Sequence, residues 1–121
     1  WPLPRKLLLV SSGLGRRAMA GSASYCAAKA GLDHLARAVA LEQAALPQGA
    51  RIVSLAPGVI DTDMQVQLRG ADPALFPERK RFLGLQAAGQ LDSPAQAAAK
   101  VLRYLARTDF GSNPVADVRD A

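Results

Sequence analysis

The chain has 121 residues, of which 50% are hydrophobic and 21% charged, a balance typical of one small soluble globular domain. It contains one cysteine and one histidine, which excludes an internal disulfide framework and leaves too few ligands for a zinc site. The net charge of +5 does not indicate nucleic-acid binding, because the arginines are scattered and no aromatic residues alternate with them. We therefore predict no metal site and no nucleic-acid partner.

The first residues of the chain give expectations about its cellular location. The longest aliphatic run, Leu7 to Val10, is far shorter than the roughly 20 residues of a membrane-spanning helix, and no positively charged leader precedes it. We expect no membrane association and a cytoplasmic location. Because the chain begins at Trp1 without an initiator methionine, we also expect a further N-terminal part to precede it.

The first predicted element is a strand over residues 6–11, with the sequence KLLLVS. A short apolar run without alternation is typical of a parallel strand covered on both faces. The glycines that then interrupt the pattern are Gly13, Gly15 and Gly21. The connection to the next helix is long, and long loops at strand ends often carry function. Its Arg16 and Arg17 are candidates to meet an anionic ligand.

A long helix is predicted over residues 24–46, an alanine-rich segment without proline. The apolar positions that follow helical spacing are Leu32, Leu35, Ala36, Val39 and Leu46. Steps of four and three residues place Tyr25, Lys29, Leu32 and Ala36 on about the same face. That face is polar in its first two turns, so we expect Tyr25 and Lys29 to leave the core and overlook a cleft.

The next strand is predicted over residues 51–56, and Pro57 and Gly58 end it. A strand, a helix and a second buried strand form a βαβ unit with parallel strands. Such sheets bind ligands outside the carboxyl ends of their strands. The pairs Ser11–Ser12 and Pro57–Gly58 both follow such ends, so we expect the two loops to line one crevice.

The remaining residues complete a single domain over residues 1–121. Residues 61–90 are predicted to form two short helices, either as a lid that closes over a bound ligand or as an ordinary packed insertion. A helix then begins with the capping box of Ser93 and Gln96. It is predicted to run to about Arg107, and its inward residues are expected to be Ala98, Val101, Leu102 and Leu105. Residues 113–118 are predicted to add a last strand beside the second.

These motifs resemble the short-chain dehydrogenase/reductase family, in which a strand-end serine is followed by Tyr-x-x-x-Lys and then by a strand ending in Pro-Gly, with a threonine shortly after. The matching residues are Ser12, Tyr25, Lys29, Pro57, Gly58 and Thr62. The resemblance covers nearly the whole chain and the C-terminal half of a typical family member. The segments YCAAKAGLDHLARAVALE and APGVIDTDMQ are most similar to the carbonyl-reducing branch that includes sepiapterin reductase and bacterial benzil reductase.

The resemblance implies an α/β fold, namely the C-terminal half of a Rossmann-like doubly wound parallel sheet with three strands and helices on its faces. The N-terminal βαβ half, which binds the dinucleotide, is then lacking. The family's glycine-rich phosphate turn is absent as well. Gly13-Leu14-Gly15 does not replace it, because it lacks a third spaced glycine and does not lead directly into a helix.

By the same resemblance, the complete protein transfers hydride between a nicotinamide cofactor, NADP or alternatively NAD, and a small carbonyl or alcohol, such as a diketone or a pterin-like carbonyl. Tyr25 would exchange the proton, and Ser12 would orient the carbonyl oxygen. Lys29 would favour the phenolate by its charge and bind the cofactor ribose. The cofactor-binding residues would be Tyr25, Lys29, Pro57, Gly58, Val59, Ile60 and Thr62. Ser11 is the alternative to Ser12, which we prefer for its spacing from Tyr25.

The resemblance further implies a homodimer or homotetramer formed through helix 24–46. We expect the 121 residues by themselves to show little activity. The alternative function is a non-catalytic dimerisation or regulatory half-domain derived from such an enzyme.

Overall fold

The computed structural model describes residues 5–58 and 92–120. They form a three-stranded parallel sheet in the order β1-β2-β3. The elements are β1 (Lys6–Val10), α1 (Ala23–Ala44), β2 (Arg51–Ala56), α2 (Pro94–Leu105) and β3 (Val115–Asp117), with 3₁₀ turns at Gly13–Gly15 and Val118–Asp120. The predicted α/β class and parallel sheet are confirmed. The predicted lid at residues 61–90 lies outside the described residues and stays a prediction.

Strand β2 is the central strand, buried from Ile52 to Ala56. Its side chains alternate between the two faces of the sheet. Ser54 bonds to a residue of α1, whereas Val53 and Leu55 belong to a cluster that includes residues of α2. The two helices therefore lie on opposite faces of the sheet, and β2 packs against both.

Strand β1 is more exposed than its apolar sequence predicts. The side chains of Leu7 and Val10 keep 47% and 54% of their accessible surface. Within the described residues, β1 pairs with β2 alone and so forms an edge of the sheet. Burial on both faces requires covering elements around a strand, which the residues described here supply for β2 but not for β1.

Helix α2 begins as predicted. The Ser93 hydroxyl accepts a hydrogen bond from the Gln96 amide at 3.1 Å, and the Gln96 side chain accepts one from the Ser93 amide at 2.8 Å. This reciprocal pair satisfies two amides that would otherwise lack a partner at the helix start. The capping sequence therefore located the helix boundary correctly.

The inward face of α2 was predicted in part wrongly. Ala98 is exposed, and Leu102 keeps 63% of its accessible surface. The inward residues are Ala97, Val101, Tyr104 and Leu105. The Tyr104 ring packs edge-on against Phe110 at a centroid distance of 6.0 Å, so the helix turns this aromatic residue, rather than Leu102, toward the core.

Helix α1 also differs from its predicted apolar stripe. Its buried residues are Asp33 and Ala36, whereas Leu35 and Leu46 are exposed by about half. Ala36 is buried as predicted, and the pattern missed the carboxylate of Asp33 on the same face. Within the residues that the structure describes, neither helix is long and apolar enough to cross a membrane.

The core on the α2 face is built around Phe110, which is 2% exposed and packs with Val53, Leu55 and Val118. We expect Phe110→Ala to lower the free energy of unfolding by about 3–5 kcal/mol, because it removes a buried ring and leaves a cavity. Urea denaturation of the full-length protein measures the effect. The exposed-site control Leu102→Ala should change stability by less than about 0.5 kcal/mol, and equal effects of the two variants would contradict this core.

Candidate active site

The first turns of α1 carry Tyr25 and Lys29, both half-buried. They share one face, and the Lys29 ammonium lies 5.6 Å from the centroid of the Tyr25 ring, within the range of a cation–π interaction. The ammonium also donates a hydrogen bond to the carbonyl oxygen of Val10 at 3.0 Å. Lys29 thus ties the start of α1 to the carboxyl end of β1.

The two serines after β1 have different environments. Ser11 is buried, its amide donates to the Leu55 carbonyl at 2.8 Å, and its hydroxyl donates to the Asp33 carboxylate at 2.6 Å. Ser12 is half-buried and caps the 3₁₀ turn, where its hydroxyl oxygen accepts from the Leu14 amide at 3.2 Å. That bond uses an oxygen lone pair, and the Ser12 hydroxyl hydrogen is a further donor.

Pro57 and Gly58 follow β2 at the carboxyl edge of the sheet, where the sequence predicts a crevice. In the parallel register Val10 pairs with Leu55, so the residues that follow β1 and β2 leave the sheet at the same edge. Gly58 has a φ of 84°, a left-handed backbone conformation that glycine adopts without a steric penalty. The other predicted cofactor residues, Val59, Ile60 and Thr62, lie outside the described residues.

A buried charged cluster lies directly beneath these residues. Asp33 is 1% exposed, and its Oδ1 atom accepts hydrogen bonds from Ser11 and from the Ser54 hydroxyl, the latter at 2.7 Å. The Nε atom of Arg16 lies 3.0 Å from the Oδ2 atom of Asp33. This contact is an ion pair without hydrogen-bond geometry, and Oδ2 accepts no hydrogen bond from the described residues.

Arg16 also forms hydrogen bonds with the backbone of β2 and β3. One of its terminal nitrogens donates to the carbonyl oxygens of Ser54 and Ala116, both at 3.0 Å. The prediction of Arg16 as a candidate for an anionic ligand is therefore not supported, because its guanidinium binds the protein's own carboxylate and carbonyl groups. The adjacent Arg17 is exposed.

Sequence reasoning missed Asp33 as a site-supporting residue, although a signal was present. Asp33 follows Lys29 by four positions and Tyr25 by eight, so the three side chains lie on one helix face. An acidic residue at such a position, on the face that meets a sheet, indicates a buried partner. The apolar pattern instead favoured the neighbouring Leu32.

The turn at Gly13–Gly15 uses its amides internally. The amides of Gly15 and Arg16 donate to the carbonyl oxygens of Ser12 and Gly13 at 3.0 and 3.1 Å, and the Arg17 amide donates to Gly13 as well. A phosphate cradle needs amides that point at the ligand. The turn therefore does not form one, in agreement with its sequence.

A second carboxylate lies at the end of β3. A hydrogen bond from Arg119 to Asp117 lowers the pKa of that carboxyl below its usual value, and the charge of Arg16 lowers it further, while burial acts in the opposite direction. Asp117 is therefore ionised at neutral pH. Its negative charge offsets part of the positive charge of the two arginines.

Comparison with known proteins identifies the family of this chain. The family model for the short chain dehydrogenases matches residues 6–73. The chain belongs to the short-chain dehydrogenase family. The part matched includes the candidate site residues from Ser12 to Thr62.

Several relatives in this family reduce carbonyl compounds. The chain is 36% identical over 109 residues to benzil reductase ((S)-benzoin forming) of Bacillus cereus, covering 90% of this chain and 43% of the relative. It is 33% identical over 120 residues to rat sepiapterin reductase, covering 98% of this chain and 43% of the relative. It is 40% identical over 77 residues to the NADPH-dependent pterin aldehyde reductase of Arabidopsis thaliana, covering 61% of this chain and 31% of the relative.

Solved structures in the family have the same fold. A short-chain dehydrogenase/reductase from Saccharomyces cerevisiae superposes with a TM-score of 0.76 at 27% identity, covering 95% of this chain and 46% of its own. The short-chain dehydrogenase chain described here therefore spans less than half the length of the relatives and structures that it matches.

Gly15 is the point of closest approach between the 3₁₀ turn and α1. A Cβ atom at Gly15 would collide with Oδ2 of Asp33 and lie 3.0 Å from the Lys29 carbonyl oxygen, whereas one at Gly13 would meet only Arg17, at 4.0 Å. We expect Gly15→Ala to destabilise the protein by about 1–3 kcal/mol, as overpacking does. Thermal unfolding measures this.

Gly13→Ala is the matched control and should leave the unfolding temperature nearly unchanged. A Gly15→Ala variant as stable as Gly13→Ala would contradict the close packing of the turn on α1.

Proposed function

We propose that the protein that contains this chain is an NADPH-dependent carbonyl reductase in which Tyr25, Lys29 and Ser12 are the catalytic residues. The observation that carries the proposal is the position of Lys29, whose ammonium contacts the Tyr25 ring and the Val10 carbonyl, two residues before Ser12. These contacts support a site in which a phenol, an ammonium and a hydroxyl act together at the end of β1.

The chemistry of this donor set fits the nicotinamide and ribose end of the cofactor. The Lys29 ammonium has three N–H donors, of which Val10 accepts one, so the others suit ribose hydroxyl groups. Pro57 and Gly58 border the same edge of the sheet. The pyrophosphate end does not fit the Gly13–Gly15 turn, whose amides bond internally.

In the proposed reaction, Tyr25 holds the proton that the substrate carbonyl oxygen receives. The bound cofactor supplies the hydride. The positive charge of Lys29 favours the phenolate that remains after proton transfer, and Tyr25 acts as general base when the alcohol is oxidised in the reverse direction. Ser12 donates its hydroxyl hydrogen to the same carbonyl oxygen and orients it.

The substrate class and the cofactor are inferred from the relatives. Their names specify benzil, sepiapterin and pterin aldehydes as substrates, and NADPH as the cofactor of the Arabidopsis enzyme. We therefore propose small diketones or pterin-like carbonyls as substrates and NADPH as the reductant, with NADH as the alternative. A cytoplasmic location suits an enzyme that uses this soluble cofactor.

The catalytic assignment is tested by Tyr25→Phe in the full-length protein. We expect kcat to fall by about 10²–10⁴-fold, the usual contribution of a general acid, in NADPH oxidation with benzil or sepiapterin. Tyr104→Phe is the matched control, because Tyr104 packs on Phe110 away from the proposed site, and its kcat should match the unmodified protein. An active Tyr25→Phe variant would exclude Tyr25 as the proton donor.

The exposed side of α1 supports a homo-oligomer, as a dimer or tetramer. Residues of this side recur at helical spacing and are all exposed; they are Ala27, Gly31, His34, Ala38 and Leu41. Leu41 keeps 77% of its accessible surface. Small residues beside a leucine let two helices approach closely, so we propose that a second copy packs on this face.

We expect Leu41→Glu to convert the full-length protein to a smaller species in analytical ultracentrifugation, because it places a charge in an apolar contact. Leu102→Glu, at another exposed leucine position on α2, should leave the sedimentation coefficient unchanged. If Leu41→Glu sediments like the unmodified protein, the contact does not involve this face. A stable oligomer without any NADPH-dependent turnover would instead favour the non-catalytic alternative.

A further inference from the structure

We propose that Asp33 is a positioning residue for the reaction, through which α1 holds the Ser12-bearing end of β1 in register with Tyr25 and Lys29. The proposal rests on the proposed function, since it concerns the same site. Asp33 is buried beneath that site and has no direct part in the proton transfer described above. Its carboxylate acts through Ser11.

Two residues of α1 on successive turns form hydrogen bonds at the end of β1. The ammonium of Lys29 binds the carbonyl of Val10 at 3.0 Å, and one turn later the carboxylate of Asp33 binds the hydroxyl of Ser11 at 2.6 Å. Val10 and Ser11 are adjacent, and Ser12 is the next residue. The helix that carries Tyr25 therefore holds the two residues before Ser12 by two separate hydrogen bonds.

The same carboxylate oxygen also joins β1 to β2. Ser11 directly follows β1, Ser54 lies in the neighbouring parallel strand β2, and both donate to Oδ1 of Asp33, at 2.6 and 2.7 Å. Arg16 then bonds the Ser54 carbonyl and pairs with Oδ2. These contacts fix the carboxyl ends of both strands relative to α1, the region in which the substrate would bind.

A buried carboxylate is energetically unfavourable compared with an apolar side chain if its role is only to pack a helix against a sheet. Burying an ionised group is unfavourable unless it is paired and hydrogen-bonded, and an apolar side chain would fill the space between α1 and β2 without that cost. Unlike an apolar side chain, a carboxylate holds hydrogen-bond donors at defined positions around its oxygens. Because Asp33 lies one turn after Lys29, the donors that it holds are next to the reacting groups.

The test compares Asp33→Asn, Ser11→Ala and the double variant in the full-length protein, with kcat and KM determined per folded molecule. We expect kcat to fall by about tenfold in each single variant, since small misplacements of reacting groups cost up to about 10²-fold. KM for NADPH should stay within about twofold, the pattern of a loss confined to the transition state. Ser11→Ala keeps the test available if Asp33→Asn does not fold.

The double variant tests whether Asp33 acts through Ser11. If it does, replacing both residues should lower kcat little more than replacing one, because coupled residues are non-additive. Multiplied effects in the double variant would overturn the proposed route. Glu42→Gln, which neutralises an exposed acid on the same helix, is the control and should leave kcat unchanged.

A purely structural role predicts a different result. Asp33→Asn would then lower the unfolding temperature while kcat per folded molecule stays at the unmodified value, and this outcome would overturn the proposal. Its failure is distinguishable from failure of the proposed function. In the first case Tyr25→Phe is inactive and Asp33→Asn fully active, whereas in the second Tyr25→Phe retains activity.

Discussion

A carboxylate buried between a helix and a sheet needs hydrogen-bond donors or a positive charge beside it, and this requirement organises the described part of the molecule. Asp33 of α1 receives hydrogen bonds from Ser11 after β1 and from Ser54 in β2, and it pairs with Arg16 from the 3₁₀ loop. Arg16 extends the network to β3 through the Ala116 carbonyl. All three strands and α1 are therefore connected through one charged cluster.

The two faces of the sheet are stabilised differently. On the α2 face, Val53, Leu55, Phe110 and Val118 form an apolar core, where packing and loss of water contact supply the stability. On the α1 face, the contacts between Asp33, Ser54 and Arg16 are polar and directional. The hydrophobic effect has no preferred direction, whereas hydrogen bonds at 2.6–3.0 Å fix the positions of their donors and acceptors. The face that needs defined geometry is the one that carries Tyr25 and Lys29.

The candidate site of this short-chain dehydrogenase lies on the polar α1 face of the sheet. Lys29 contacts the ring of Tyr25 and the Val10 carbonyl, so it joins the helix to the strand. Within the polar cluster beneath it, Ser11, Asp33 and Ser54 are buried away from water, which strengthens their electrostatic interactions. The side chains proposed to react with a substrate thus lie next to a cluster of residues held in place by hydrogen bonds.

Local chemistry explains what could be predicted from the sequence. The capping box of Ser93 and Gln96, the apolar strand over residues 51–56 and the Tyr25–Lys29 spacing are each properties of a few neighbouring residues, and they located the helix start, the central strand and the shared helix face. The family motif extended these observations to a candidate site. The roles of its residues remain proposals that the kinetic variants test.

Only the tertiary structure decided which side chains of each helix turn inward. The helical pattern favoured Leu102 on α2, where Tyr104 turns inward instead, and it did not predict the buried Asp33 on α1, because a partner on another element determines which side chains of a helix are buried. Such partners lie far apart in the chain, as Ser11 and Ser54 do from Asp33, and no local pattern records them. The sequence by itself determined the elements and the family, whereas the pairing of Arg16 with Asp33, rather than with a ligand, required the packed fold.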